Sequence, residues 1–137
     1  MPKQPGVRCG DVVYMPKSAD STPHLWVIIT EPDENGDVVI VNVTSWRPDS
    51  DETVIIKTGE HHRITHQSVV FYQDARIAKA ALIEKAIQNT TLCVKCDPCS
   101  QELLMRIQQG VTQSRFTPRK VKDFCQKSWA QNPPKDE

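Results

Sequence analysis

Residues 25–44 decide the fold, and they read LWVIITEPDENGDVVIVNVT. The first six and the last seven of these residues are almost all apolar and mostly β-branched, as in strands that are buried on both faces. The segment between them is rich in turn-forming residues, and its Asn35-Gly36 pair is a strong marker of a hairpin. We therefore predict two long strands, over residues 25–30 and 38–44, that pair antiparallel.

Shorter strands flank this hairpin on both sides. Residues 12–15 follow a Gly10-Asp11 turn, residues 53–56 form a short β-branched segment, and residues 68–72 alternate like a strand. Five short strands separated by turns favour a small, strongly curved antiparallel barrel, which we place over residues 8–74. Strands and helices do not alternate in this part of the chain, so a doubly wound fold is not expected.

After Asp74 the pattern becomes helical. Residues 75–88 carry apolar side chains at helical spacing, and residues 101–109 lie between a Ser100 N-cap and a stop at Gly110. Thr117-Pro118 predicts the N-cap and the first position of a third helix. The chain is therefore expected to form one mainly β domain over residues 1–137, with two or three α-helices over 75–128 and a flexible tail over 129–137.

The net charge of the chain does not indicate which class of partner it binds. It carries 17 Lys and Arg residues and 17 Asp and Glu residues, so the formal net charge is zero. Residues 106–127 are unevenly basic, since Asp123 is the one acid among Arg106, Arg115, Arg119, Lys120, Lys122 and Lys127. Such a segment can bind phosphates, but a solvated helix face has the same composition, and we favour the solvated face.

The sequence also predicts the compartment. No apolar run approaches the roughly 20 residues that cross a bilayer. The first residues lack the apolar segment of a secretory signal. We therefore expect a cytoplasmic protein without a membrane segment, in which the five cysteines are reduced thiols.

A cluster of histidines is the first candidate for chemistry. The segment His61-His62-Arg63-Ile64-Thr65-His66-Gln67-Ser68 leads directly into the last predicted strand. Histidine exchanges a proton near neutral pH, so this segment offers an acid, a base, a cation and a hydroxyl at one sheet edge. The alternative interpretation is a polar, solvated loop whose histidines have no chemical role.

Three cysteines with two-residue spacers follow the first predicted helix, at Cys93, Cys96 and Cys99. Pairs with this spacing bind zinc in many proteins, and Cys125, Cys9 or a histidine would have to supply a fourth ligand. The spacing differs from that of iron–sulfur proteins, and no redox-type βαβ context is present. We therefore expect free thiols, no cofactor and a metal-free protein.

The strand segments together resemble the PemK/MazF toxin family. The resemblance rests on Gly10-Asp11-Val12-Val13-Tyr14, on residues 24–30, on residues 39–45 and on Ser68-Val69-Val70 before a helix, and it covers residues 8–85. It implies a small SH3-like barrel. It also implies a metal-independent endoribonuclease of a toxin–antitoxin module, usually a homodimer, whose partners are RNA and an antitoxin protein.

Only some of the family's motif positions are matched in this sequence. The family enters its second strand through an Arg-Pro pair whose arginine stabilises the scissile phosphate, but Leu25-Trp26 stands at the matching positions here. The family's Thr-Ser pair is matched by Thr44-Ser45. Arg47 or Arg63 is a possible replacement for the arginine from a neighbouring loop.

These observations predict one function and two alternatives. In the endoribonuclease hypothesis His61 and His66 are the proton-transfer pair. The phosphate or base contacts in that hypothesis come from Arg63, Ser68, Thr44, Ser45, Arg47 and Tyr72, with stacking by Trp46 as well. Trp26 lies within an apolar strand, so we assign it to the core. The first alternative is a non-catalytic barrel that binds nucleic acid or a partner protein, and the second is a zinc-stabilised adaptor.

Overall fold

The computed structural model describes residues 6–17, 22–89 and 91–133. Its strands are β1 (Val12–Pro16), β2 (Pro23–Ile28), β3 (Asp37–Ser45), β4 (Ile55–Ile56), β5 (Ser68–Lys79) and β6 (Val94–Cys96). Its helices are α1 (Ala80–Asn89), α2 (Gln101–Gln113) and α3 (Arg119–Gln131). All strand pairs are antiparallel, in the order β4-β5-β3-β2-β1-β6. The sheet curls into a half-barrel, which confirms the predicted class of a small, mainly β barrel with C-terminal helices.

The predicted hairpin of β2 and β3 is confirmed. Its turn is held by the side chain of Asp33, whose carboxylate accepts hydrogen bonds from the backbone N–H groups of Asn35 and Asp37. Gly36 has a φ of +78°, a conformation that glycine adopts without steric cost. The turn therefore fixes the register that pairs Ile28 with Ile40.

The last long strand is longer than predicted. Residues 75–79 were expected to begin a helix, but they belong to β5, and α1 begins at Ala80. The second half of β5 pairs with the first half of β3, from Ile40 to Asp37, after an irregularity opposite Val41. The prediction was wrong because the first half of β3 needs a hydrogen-bonding neighbour, and that tertiary requirement overrides the helical preference of an alanine-rich segment.

A sixth strand lies in the region that we predicted to be helical. Residues Val94–Cys96 form β6, which pairs with β1 and places Cys96 opposite Val12. The helices also differ from prediction at their ends. Helix α2 continues through Gly110 to Gln113, and α3 has Pro118 rather than Thr117 at its N-cap. Of the predicted flexible tail, residues 129–131 are helical, and residues 134–137 lie outside the described part.

The sheet is covered on both faces, as the apolar strands predict. One face carries Val27, Val41 and Val70, which pack with Ile107 of α2 and Val121 of α3. The opposite face carries a second apolar cluster in which Trp26, Ile28 and Val38 pack with Ile83 of α1. The assignment of Trp26 to the core is confirmed. Among the described residues, no helix has the length and apolar character needed to cross a membrane.

Candidate nucleic-acid interface

The loop between β4 and β5 does not present its first histidine to solvent. His61 is only 7% exposed, and its loop folds back through hydrogen bonds from the N–H of Gly59 to the carbonyl of Ile64 and from the N–H of Ile64 to the carbonyl of His61. The Nδ1 atom of His61 accepts a hydrogen bond from the backbone N–H of Arg63 at 3.0 Å. Its Nε2 atom lies 2.6 Å from the carbonyl oxygen of Asp97 and must therefore donate to it. Both ring nitrogens are occupied in the neutral tautomer, so His61 is a structural residue.

The two residues after His61 also contact Asp97 or the neighbouring strand β1. The ring of His62 stacks on that of His61 at 4.7 Å between centroids, and its Nε2 atom lies 3.3 Å from a carboxylate oxygen of Asp97. The guanidinium of Arg63 lies 4.9 Å from the centre of the Tyr14 ring on β1. Arg63 is therefore directed toward β1, and no described contact joins it to His66.

His66 has the opposite environment. It is exposed, and its Nε2 atom lies 2.7 Å from the hydroxyl oxygen of Ser45 at the end of β3. Ser45 pairs with Ser68 across the two strands. Ser68 is buried and donates its hydroxyl to the backbone carbonyl of His66, so it positions the loop and does not face a ligand. The structure thus brings His66, Ser45 and Ser68 together without His61. Thr44, one residue earlier on β3, is half-buried.

The loop after β3 presents an exposed aromatic ring and an exposed cation, and its first residue is hydrogen-bonded to the segment that carries His66. Trp46 is 37% exposed, and its backbone N–H donates to the carbonyl of Gln67, one residue after His66. The indole N–H of Trp46 donates to the carboxylate of Glu52 at 2.6 Å. Arg47 is exposed, and its guanidinium forms no ion pair with any other described residue.

A second aromatic side chain and cation, which sequence reasoning missed as a site, lie against the same loop. Phe116 is 43% exposed, and the guanidinium of Arg115 lies 5.0 Å from the centre of its ring. Ser114 connects this pair to the loop, because its hydroxyl donates to Asp51 and accepts from the backbone N–H of Phe116. The sequence signal was an arginine and an aromatic residue within the basic segment, directly before Thr117-Pro118.

We call this surface the rim, and it consists of Ser45, Trp46, Arg47, His66, Arg115 and Phe116. Two carboxylates of the loop after β3, those of Asp51 and Glu52, already have hydrogen-bond partners. Burial acts to raise the pKa of Asp51, but hydrogen bonds from Thr53 and Ser114 and the charge of Arg115 hold that pKa below its usual range. Asp51 therefore stays ionised and fixes the loop. The rim is a solvent-facing group of aromatic rings and cations.

Tyr72, predicted as a base-stacking residue, cannot serve that role. Its ring is fully buried, and its hydroxyl donates to the carbonyl of Ile107 at 2.6 Å. Burial raises its pKa far above the ordinary tyrosine value. The prediction was wrong because Tyr72 lies on the face of β5 that α2 covers.

The cysteine run is divided between the two faces of the sheet. Cys93 is buried beside Met15 in the cluster under α1, whereas Cys96 and Cys99 pack against the cluster under α2 and α3. Cys93 lies directly before β6 and Cys96 ends it, and residues three apart in an extended segment point in opposite directions, which accounts for their separation. Burial raises the pKa of Cys99 to about 12, so this thiol stays protonated at neutral pH. Within the described ranges, no three His, Cys, Asp or Glu residues are placed to hold a metal ion.

No protein-family model and no curated protein sequence matches this chain.

Proposed function

We propose that this protein binds single-stranded RNA at the rim. One observation carries the proposal: two exposed aromatic residues, Trp46 and Phe116, each have an arginine as the next or preceding residue. Both are hydrogen-bonded to the loop after β3, Trp46 through Glu52 and Phe116 through Ser114, which donates to Asp51. Proteins that bind single strands combine aromatic rings, on which bases stack, with cations that follow the phosphates. Single-stranded segments also leave their base faces open for such stacking.

The rim offers hydrogen-bonding groups that suit RNA in particular. The imidazole of His66 and the hydroxyl of Ser45 are within hydrogen-bonding distance of each other at the exposed end of β3. Both groups can exchange hydrogen bonds with a ribose 2′-hydroxyl, the group that distinguishes RNA from DNA. The proposal places the protein in the cytoplasm, where RNA is available and its five free cysteines stay reduced.

Fluorescence anisotropy with a labelled single-stranded RNA tests this proposal. Removal of a stacking ring costs about 1–3 kcal/mol, so Trp46→Ala and Phe116→Ala should each weaken binding about 5- to 150-fold. Leu82→Ala is the control, because Leu82 is an apolar side chain that is even more exposed, at 64%, and lies on α1, against the other face of the sheet. Equal affinity in all four proteins, or tighter binding of the same sequence as DNA, would contradict the proposal.

RNA cleavage is a second candidate, and the exposed contact between His66 and Ser45 favours it. In this candidate His66 would take the proton of a 2′-hydroxyl, and Arg47, two residues after Ser45 in sequence, would be the cation for the phosphate. The two-histidine mechanism is not part of this candidate, because both nitrogens of His61 are occupied. The homodimer and the antitoxin partner that the PemK/MazF resemblance implies belong to this candidate.

Incubation of the protein with labelled RNA tests the second candidate. His66→Ala should lower the cleavage rate about 10²- to 10⁴-fold, the range for loss of one general base. Ser45→Ala should have a smaller effect, because the imidazole remains. Absence of cleavage by the unmodified protein would reject this candidate and leave the binding proposal standing.

A further inference from the structure

A second candidate site lies at the opposite end of the sheet from the rim. There a cleft of about 630 Å³ opens between the segment before β1, the residues after β2 and helices α2 and α3. Because β2 and β3 are antiparallel, the residues that follow β2 lie far along the sheet from Ser45. Its lining includes Arg8, Glu31, Leu104, Gln108 and Trp129.

Gln108 is the first residue that points to a ligand. Only 4% of its surface is exposed, yet it lines the cleft from the middle of α2. Its Nε2 group donates to the carbonyl of Ile29 at 3.1 Å, which fixes the orientation of the carboxamide. Its Oε1 atom has no hydrogen-bond partner among the described residues and less than 1 Å² of accessible surface, so a ligand in the cleft reaches this atom only when the carboxamide turns toward it. An unsatisfied buried acceptor costs about 1–3 kcal/mol, and a donor group from a ligand would remove that cost.

The charges of the cleft are the second observation. Arg8 and Glu31 line the same cleft, but neither forms an ion pair with the other or with another described residue. Leu104 and Trp129 add an apolar wall, and the indole N–H of Trp129 is held by the carbonyl of Ile29 at 3.2 Å. The cleft thus combines one positive group, one negative group, one buried acceptor and an apolar surface.

We propose that this cleft binds a small zwitterion with an apolar side chain, namely a free amino acid or a short peptide with unblocked ends. Its carboxylate pairs with Arg8, and its ammonium pairs with Glu31 and donates to Oε1 of Gln108. The apolar side chain lies against Leu104 and Trp129. A phosphate-bearing ligand fits less well, because Glu31 would repel the negative charge that a phosphate carries beyond the one that Arg8 can pair.

Isothermal titration calorimetry with four related probes tests the proposal on the full chain. The probes are L-leucine, the dipeptide Leu-Leu, N-acetyl-leucine, which lacks the ammonium group, and leucinamide, which lacks the carboxylate. We expect at least one of the first two to bind, and each blocked analogue to bind at least about tenfold more weakly, as for loss of one charged hydrogen bond. Binding of leucine alone would identify an amino-acid site, and binding of the dipeptide alone a peptide site.

Two charged residues of the cleft, exposed Arg8 and half-buried Glu31, can be replaced to assign each end of the ligand. Arg8→Ala should weaken leucine or Leu-Leu about tenfold without changing the weak binding of leucinamide, which has no carboxylate to lose. Glu31→Ala should weaken the same ligands without changing the binding of N-acetyl-leucine. Lys85→Ala, on α1, and Glu34→Ala, in the turn after β2, are charge-matched controls outside the cleft and should change nothing.

Three results would overturn the proposal. One is that neither leucine nor Leu-Leu binds at millimolar concentration. Another is that the blocked analogues bind as tightly as the zwitterions. The third is that adenosine monophosphate binds in preference to all four probes, which would assign the cleft to a nucleotide. Gln108→Met tests the buried acceptor separately: it should weaken both zwitterions while thermal unfolding shows that the chain still folds.

Discussion

Gly110 of α2 lies directly against the side chain of Tyr72 on β5. A Cβ atom added there would lie 2.1 Å from the hydroxyl oxygen of Tyr72 and 2.8 Å from a methyl carbon of Val54. Alanine is normally better than glycine inside a helix by about 1 kcal/mol. Here we expect Gly110→Ala to lower the free energy of unfolding by about 1–3 kcal/mol, because the new methyl group overpacks the core. Chemical denaturation measures the change.

The exposed neighbour Gln109 supplies the control, since Gln109→Ala adds no contact and should leave stability nearly unchanged. Tyr72→Phe removes the oxygen that the new methyl group would strike. The double variant Gly110→Ala, Tyr72→Phe should therefore be less destabilised than the two single changes predict together. A stabilised Gly110→Ala protein would show that α2 can shift away from β5.

His61 and His66 should respond differently to substitution. His61→Ala removes the donor to the Asp97 carbonyl and the acceptor for the Arg63 N–H, so it should cost about 1–3 kcal/mol of stability and leave RNA affinity unchanged. His66→Ala removes an exposed ring and should weaken RNA binding with little loss of stability. Thermal unfolding measures the stability of both variants, and fluorescence anisotropy measures their affinity for RNA. Equal effects of the two changes on RNA affinity would contradict this division of roles.

At the scale of the element, β4 depends on a side chain from α2. The strand is two residues long, and the guanidinium of Arg106 donates both to the carbonyl of Ile55 and to the carboxylate of Glu60. The hydrogen bond from Arg106 is the main reason why the pKa of Glu60 lies below its usual range. The pair therefore joins α2 to the β4–β5 region.

This pair predicts how stability depends on pH. The pKa of Glu60 is lower in the folded chain than in the unfolded chain, so its stabilising contribution is fully present above the unfolded value of about 4.3. The contribution is lost as pH falls through the lower, folded value. Glu60→Gln should therefore be less stable than the parent at neutral pH, and the difference should shrink toward pH 3. Urea denaturation at several pH values measures it, and a constant difference would count against the ion pair.

The elements were predictable from sequence where local signals were sufficient. The hairpin of β2 and β3 follows from β-branched runs around Asn35-Gly36, and Ser100 caps α2 as expected, with its side chain accepting from the N–H of Leu103. The second half of β5 and the whole of β6 were not predictable, because distant strands determine their pairing. His61 and His66 also look alike in sequence. The contact that distinguishes them is the hydrogen bond from His61 to the carbonyl of Asp97, which lies 36 residues away in sequence.

At the scale of the whole molecule, zero net charge limits the attraction of RNA from a distance. The affinity should depend instead on a few local cations of the rim. We assume that three basic side chains contact phosphates, namely Arg47, Arg115 and one other. The logarithm of the binding constant should then fall with the logarithm of the salt concentration at a slope of about −2.

The double variant Arg47→Ala, Arg115→Ala should bring that slope to about −0.7, because about 0.7 is lost for each phosphate contact to a single strand. Arg76→Ala is a control, because Arg76 is an exposed arginine that lies over the buried Trp26, away from the rim. An unchanged slope in the double variant would show that other cations bind the phosphates.

The pairing of β6 with β1 also bears on how the chain folds during synthesis. The first strand of the sheet obtains its outer neighbour only after the whole hairpin, β5 and α1 have been made. Contacts between residues that are distant in sequence form slowly, because a long loop must close first. A nascent chain that has left the ribosome only as far as α1 would therefore expose the outer edge of β1. That edge is where a chaperone, or another unfinished chain, would pair with it.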